Sequence, residues 1–113
     1  MAIHEMNLQP RYYDYIKNGT KRIELRLFDE KRQKIKLGDE IIFSKSESDK
    51  FVAKVIGLLR YDTFEHLFND FDINVLADDS MSKDELLNVL EEFYTPQKQK
   101  QYGVIGIRVE LKS

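Results

Sequence analysis

The chain contains no cysteine among its 113 residues. It therefore has no disulfide framework, no thiolate nucleophile and no zinc site built on thiolates. It also lacks an apolar run of the roughly 18 residues that are needed to span a bilayer. The segment Met1–Glu5 does not have the pattern of a signal peptide. From these absences we expect a cytoplasmic protein with no membrane partner.

Familiar catalytic and metal-binding patterns are missing as well. The only two histidines, His4 and His66, lie far apart in the sequence. No Ser-His-Asp order, glycine-rich phosphate loop or metal-ligand spacing stands out. The sequence therefore predicts no metal site and no cofactor.

Length and composition are those of an ordinary globular protein. Hydrophobic residues make up 42% of the chain and charged residues 34%. A chain of this length can bury a core without disulfide or metal support, so we expect residues 1–113 to form one domain.

The formal net charge of -2 is unevenly distributed. The segment Lys17–Lys36 is rich in lysine and arginine, whereas Asp62–Glu92 is rich in aspartate and glutamate. A basic region can attract phosphates, although charged faces are more often simply solvated. The distribution is therefore compatible with a nucleic-acid or nucleotide partner.

The hydrophobic pattern predicts the element order β-α-β-β-β-α-α-β. The predicted segments are strands near 3–8, 21–28, 40–43, 51–59 and 102–111, a helix from Pro10 to Asn18, and two capped helices beginning near Asp62 and Ser82. Strands joined by short turns, with helices between groups of them, favour a mixed or antiparallel sheet over a doubly wound one. The predicted fold class is α+β, with the small sheet curled into a barrel and helices across one opening.

The most informative segment is Gly19–Arg26, which has the pattern G-x-K-x-x-E-x-R. Its charged residues alternate with apolar ones, and such charges usually line a cleft because a buried charge is costly without a partner. Two simpler interpretations remain open. One is an edge strand with a solvated outer face, and the other is an internal salt bridge from Glu24 to a neighbouring base.

Strand geometry complicates a joint role for Lys21, Glu24 and Arg26. In an ideal strand Glu24 and Arg26 share one face, while Lys21 lies on the other. Lys21 joins the other two only if the strand begins after it, or if a turn or bulge redirects it.

The chain resembles the ASCH domain family, whose hallmark is the pattern found in Gly19–Arg26. The segment Ile35–Phe43 resembles the family's I-x-x-G-D-x-I-x-F strand, and Tyr94 with Tyr102–Ile107 resembles its closing segment. This resemblance implies a PUA-like β-barrel that binds RNA or a nucleotide-like ligand in a cleft lined by the motif strand and the helices after it.

One branch of the family hydrolyses N4-acetylcytidine with a lysine, a threonine nucleophile and a later glutamate. The resemblance places that lysine at Lys21, the threonine at Glu24, and the later glutamate near Asp78–Asp79. The alternative function is therefore a hydrolase that acts on a modified nucleoside or on RNA. Lys21 and Glu24 would be catalytic in it, with Asp79 as a further candidate. Because the threonine is absent, Glu24 would act as a general base for water.

The binding interpretation assigns roles to the same residues. Arg26 would hold a phosphate or carboxylate in a bidentate manner, and Lys21 would supply a point charge. Glu24 would accept from the exocyclic amine of cytosine, and the Tyr12 ring would stack on a base. Lys34, in the basic loop after the motif strand, would contact phosphates.

Overall fold

The computed structural model describes residues 1–112, which form five β-strands, five α-helices and one 3₁₀ turn. The strands are β1 (Ile3–Asn7), β2 (Ile23–Leu27), β3 (Glu40–Ser44), β4 (Lys50–Tyr61) and β5 (Val104–Leu111). The helices are α1 (Pro10–Lys17), α2 (Phe64–Phe68), α3 (Ile73–Leu76), α4 (Lys83–Phe93) and α5 (Pro96–Tyr102), and the 3₁₀ turn is Arg32–Lys34.

The strands form one sheet in the order β1-β3-β4-β5-β2. β1 and β3 are parallel, and the other neighbouring pairs are antiparallel. A register shift between Val55 and Gly57 interrupts the ladder of β4 and β5, and such bulges increase the local bend of a sheet. The sheet curls into a half-barrel, which confirms the predicted α+β, PUA-like fold with a mixed sheet.

The two edge strands of the half-barrel are joined by a side chain. Nη2 of Arg26 on β2 donates to the carbonyl oxygen of Asn7 at the end of β1, at 3.0 Å. The gap between β1 and β2 is therefore bridged at this point by a residue of the G-x-K-x-x-E-x-R motif.

Apolar cores lie on both faces of the sheet. One core joins the outer face of β2 to the later helices and contains Ile23, Leu25, Leu27, Phe64, Leu67, Phe68, Leu76, Ala77, Met81, Leu86 and Val104. The other lies inside the half-barrel and contains Met6, Ile16, Ile35, Ile41, Phe43, Ala53, Val55, Ile105, Ile107 and Val109. β5 contributes to both cores, with Val104 in the outer one and Ile105, Ile107 and Val109 in the inner one. β2 contributes apolar residues to the outer core only, but its other face is buried as well, so it has no solvated face.

Local signals placed several boundaries correctly. Pro10 begins α1, and Gly19 adopts a φ of 86° directly after the Asn18 cap, which is a conformation that favours glycine. Ser82 caps α4 in a complete capping box with Glu85, as predicted.

Other local predictions were wrong. The N-cap of α2 is Thr63, whose side chain accepts from the backbone N–H of His66, and not Asp62. The two short helices α3 and α5 were not predicted. α3 has no long apolar stripe, and α5 (Pro96–Tyr102) is almost entirely polar, so neither shows the periodicity of a helix.

No helix within residues 1–112 combines the length and the apolar character that crossing a membrane requires.

Candidate functional site

The charged motif lies on a strand that is buried on both faces. Ile23, Leu25 and Leu27 enter the outer core, while Glu24 and Arg26 point into the half-barrel opposite Ile107 and Ile105 of β5. Glu24 is only 5% exposed. β2 is an edge strand of the sheet, as one of the two simpler interpretations had it, but the solvated face that this interpretation required is wrong.

Lys21 joins Glu24 because β2 begins only at Ile23. The turn at Gly19 and the backbone hydrogen bond from Lys21 N–H to the Tyr15 carbonyl hold Lys21 outside the strand register. Its side chain is 3% exposed, and its ammonium donates to the carbonyl oxygen of Leu76 at the end of α3. The alternation of a strand therefore does not apply to this residue.

The three charged side chains form a continuous buried group. Nε and Nη2 of Arg26 both lie 2.8 Å from Oε2 of Glu24, and Nζ of Lys21 lies 3.8 Å from the other oxygen, Oε1. The internal salt bridge that the sequence left open is therefore present. Within residues 1–112, Oε1 of Glu24 accepts no hydrogen bond, so one carboxylate oxygen is held and the other is available.

A cavity of about 170 Å³ opens over these charges. Its floor includes Lys21, Glu24 and Arg26, and Tyr12 of α1 forms part of the wall. The remaining lining residues come from β1 and the segment after it, from β2 and from α4, and are Asn7, Leu8, Gln9, Leu25, Leu86, Val89, Leu90, Phe93 and Tyr94. The cavity thus has a charged floor and mostly apolar walls.

Burial beside the cavity changes the pKa values of Lys21 and Arg26. Burial is the largest influence on the pKa of Lys21 and lowers it to about 8. The guanidinium of Arg26 also acts to lower this pKa, and the carboxylate of Glu24 opposes both effects. Burial also acts to lower the pKa of Arg26, but Glu24 and Tyr94 outweigh it, so the net pKa of Arg26 is raised. Lys21 can therefore lose its proton at mildly alkaline pH, whereas Arg26 stays charged.

Not all of the residues predicted for the site lie in the cavity. Tyr12 lines it, and its ring centroid lies 6.0 Å from Nζ of Lys21. Lys34 lies in the 3₁₀ turn, and Asp79 is an exposed residue of the loop before α4; neither lines the cavity. Roles for Lys34 and Asp79 remain predictions.

Several lining residues were not predicted. Asn7 supplies a backbone carbonyl to Arg26, and Phe93 and Tyr94 form a wall of the cavity. Phe93 is at the C-terminal end of the apolar stripe of α4 and is 53% exposed. The signal that could have identified the wall is a large aromatic residue at the end of a helix, beyond the part of the stripe that the core covers.

The geometry and the fold agree with the family that matches the sequence. The family model for the ASCH domain matches residues 6–113. The chain therefore belongs to the ASCH domain family, whose members are generally RNA-binding or hydrolase-like.

Solved structures give the same result. The chain is 39% identical to the hypothetical protein PH0355, with a TM-score of 0.87 and coverage of 97% of this chain and 99% of that one. It is 35% identical to protein PF0455 from Pyrococcus furiosus, with a TM-score of 0.79 and coverage of 96% of each chain.

A more distant structure shares the fold alone. A mutant of the ZmASCH protein from Zymomonas mobilis is 12% identical, with a TM-score of 0.66 and coverage of 94% of this chain and 66% of that one. Among curated proteins, none matches the chain significantly.

Proposed function

We propose that this protein binds RNA or a nucleotide-like ligand by holding one base in the cavity above Lys21, Glu24 and Arg26. The observation that carries this proposal is Oε1 of Glu24, which accepts no hydrogen bond from residues 1–112, lies 3.8 Å from Nζ of Lys21 and belongs to a side chain that lines a cavity with mostly apolar walls. A buried acceptor gains from a hydrogen-bond donor that enters with a ligand, because it has already lost most of its water.

The size of the cavity suits a single ring. Its volume is about 170 Å³. An engineered apolar cavity of about 150 Å³ in another protein holds one benzene molecule, so there is room here for one six-membered heterocycle. Sites for drug-sized molecules are larger, at about 300–1,000 Å³, so a whole nucleotide would extend out of the cavity.

The distribution of polarity suits a nucleobase. A base has apolar faces and a polar edge with donors and acceptors side by side. Tyr12, Phe93 and Tyr94 supply aromatic surface for the faces, since stacking on aromatic side chains is a main element of single-strand recognition. For the edge, Oε1 of Glu24 accepts from an amine such as that of cytosine, and Lys21 donates to a neighbouring ring nitrogen or carbonyl.

The test is a titration of the purified protein with cytidine, followed by calorimetry or by NMR shifts. Glu24→Gln keeps the shape of the side chain but removes its charge, so we expect affinity to fall about tenfold or more. A wild-type protein that binds cytidine no better than Glu24→Gln does would contradict the proposal.

A second comparison separates the cavity from the exposed basic loop. Arg26→Ala should weaken binding of a cytidine-containing ligand at high salt much more than Lys34→Ala does. Salt screens an exposed lysine first, whereas Arg26 is enclosed. Equal losses in the two variants would argue against a specific cavity.

One observation favours hydrolysis as a second function. The pKa of Lys21 is lowered to about 8, and its ammonium lies 3.8 Å from Oε1 of Glu24, a carboxylate oxygen that accepts no hydrogen bond from residues 1–112 and can act as a base. In such a reaction Glu24 would take a proton from water, and the hydroxide would attack the acyl carbon. Lys21 would stabilise the negative charge that develops on the carbonyl oxygen. The C–N bond would then break, and the amine would leave with the proton.

This alternative is tested by incubating the protein with N4-acetylcytidine and following the release of cytidine. Glu24→Gln should lower the rate by about a hundredfold or more, because general-base catalysis contributes about 10²–10⁴-fold. Lys21→Ala should lower it as well. Binding without turnover at high protein concentration would leave the binding function alone.

A further inference from the structure

A second concavity, of about 660 Å³, lies between the end of β4 and α5. We call it the α5 groove. Its lining includes the charged residues Arg60, Asp62 and Lys100 and the aromatic residues Tyr61 and Tyr102. Its volume is within the range of small-molecule sites, and its two cations outnumber its one carboxylate. The groove is therefore suited to an anionic ligand. It shares no lining residue with the cavity described above.

Arg60 is held in an orientation that leaves its donors free. Its guanidinium carbon lies 3.8 Å from the centre of the Phe28 ring, so the flat group stacks on the ring. Among residues 1–112 it has no hydrogen-bonding or salt-bridge partner. A guanidinium fixed in this way presents its N–H edge to solvent, and that edge matches the oxygens of a phosphate.

The register of the sheet connects the α5 groove with the cavity. Arg26 of β2 and Arg60 of β4 are both paired directly with Ile105 of β5. Residues that are directly opposite each other in neighbouring strands point to the same face of a sheet. Arg26 and Arg60 are thus two strand spacings apart, about 10 Å, on the same face. The buried Ile105 lies between them, so a ligand that contacts both arginines has to pass over it. A nucleotide, in which a ribose separates base and phosphate, has a length of this order.

The basic loop lies at the same end of the sheet. Gln33 donates from Nε2 to the carbonyl oxygen of Phe28 at 3.1 Å, which places the 3₁₀ turn beside the residue that supports Arg60. Lys34, which was predicted to contact phosphates, belongs to this turn.

We propose that Arg60 in the α5 groove binds a phosphate that is covalently joined to the base held in the cavity. The ligand is then a nucleotide or a single strand and not a free nucleoside, with Tyr102 available for the next base of a strand. This inference rests on the proposed function, because the base must occupy the cavity for its phosphate to reach Arg60.

The experiment compares three ligands of increasing size, namely cytidine, cytidine 5′-monophosphate and a cytidine tetranucleotide. Each is titrated into the wild-type protein, into Arg60→Gln and into the control Arg108→Gln. Arg108 is also exposed, but it lies an odd number of residues from Ile105 on β5 and so faces the other side of the sheet. The control loses the same charge away from the groove.

We expect Arg60→Gln to bind the phosphate-bearing ligands about tenfold more weakly than the wild type does, with cytidine unaffected. A loss for both phosphate-bearing ligands identifies a mononucleotide as sufficient, and a loss for the tetranucleotide alone identifies a strand. For the tetranucleotide, the slope of log K against log salt should also decrease by about 0.7 in Arg60→Gln.

Two results would overturn the inference. One is equal behaviour of Arg60→Gln and Arg108→Gln with the phosphate-bearing ligands, and the other is a wild-type protein that binds them no better than it binds cytidine. Failure of the proposed function has a different readout, since it appears as cytidine binding that Glu24→Gln does not change. Thermal unfolding of both arginine variants serves as the control for folding, and both should unfold cooperatively near the temperature of the wild type.

Discussion

Two carboxylates are buried in this protein to nearly the same degree, yet their surroundings differ. Asp39, at 4% exposure, accepts the backbone N–H groups of Ala2 and Lys36 and is hydrogen bonded to His4 at 2.8 Å. These hydrogen bonds, with that to His4 as the largest influence, lower the pKa of Asp39 to about 2. Asp39 therefore links the N-terminal segment to the turn before β3 by hydrogen bonds.

Glu24, at 5% exposure, is held in a different way. Arg26 binds one of its oxygens, and the other faces Lys21 across 3.8 Å at the floor of the cavity. The comparison shows that burial alone does not identify a functional carboxylate. What distinguishes Glu24 is an oxygen that is oriented but accepts no hydrogen bond from residues 1–112, in a carboxylate that lies between two cations and beside a space that a ligand can fill.

The largest effect should come from removing the carboxylate of Glu24 altogether. Glu24→Ala leaves Lys21 and Arg26 buried without their common partner, and we expect the free energy of unfolding to fall by about 3 kcal/mol. Urea denaturation at pH 7 measures this loss.

A second substitution sharpens that result. Adding Lys21→Met to Glu24→Ala should recover part of the lost stability, because one of the two unpaired cations is then gone. The contrary result is additivity: Lys21→Met would lower the free energy of unfolding by the same amount in the wild type and in Glu24→Ala. In that case the two residues act independently, and the three charges do not form one unit.

The next effect concerns pH and ligand affinity. Because burial lowers the pKa of Lys21 to about 8, its ammonium is mostly charged at pH 7 and mostly neutral at pH 9. If the charged form donates to the ligand, affinity for cytidine should fall about tenfold between these pH values. Lys21→Met should show weaker binding with no such fall, and an identical pH profile in both proteins would remove Lys21 from the binding site.

The smallest effect should be seen at Asp39. The pKa of Asp39 is about 2 in the folded protein, whereas a carboxyl group without these partners has a pKa of 3.8. Between these two pH values the unfolded chain therefore binds more protons than the folded protein does. The stabilisation is complete above about pH 4 and is lost as the pH falls towards 2. Asp39→Asn should be less stable than the wild type at pH 7, and the difference should narrow over that acid range.

The contrast with Glu24 also gives this last variant a functional readout. Because Asp39 makes no contact with the cavity, Asp39→Asn should bind cytidine as the wild type does at pH 7. A change in affinity as large as that of Glu24→Gln would mean that the two carboxylates do not have separate roles.

Part of the site could be predicted from the sequence because it depends on local rules. The alternation of Ile23, Leu25 and Leu27 identified β2, and Gly19 with Asn18 identified the turn before it. The fold class followed from strand lengths and short connections, together with the resemblance to the ASCH family. In contrast, α5 was missed because its stability comes from Gln99, whose buried side chain bonds to the backbone of Phe64 and Tyr94.

By itself the sequence determined the strand with its three charges, the caps of α1 and α4, and the family, because each depends on residues close together in the chain. Only the tertiary structure decided that Lys21 reaches the carbonyl of Leu76 and that α4 closes a wall over Glu24. It also decided that Arg26 and Arg60 share one row of the sheet. These contacts join residues that are distant in sequence, and they depend on how the two cores pack on the sheet.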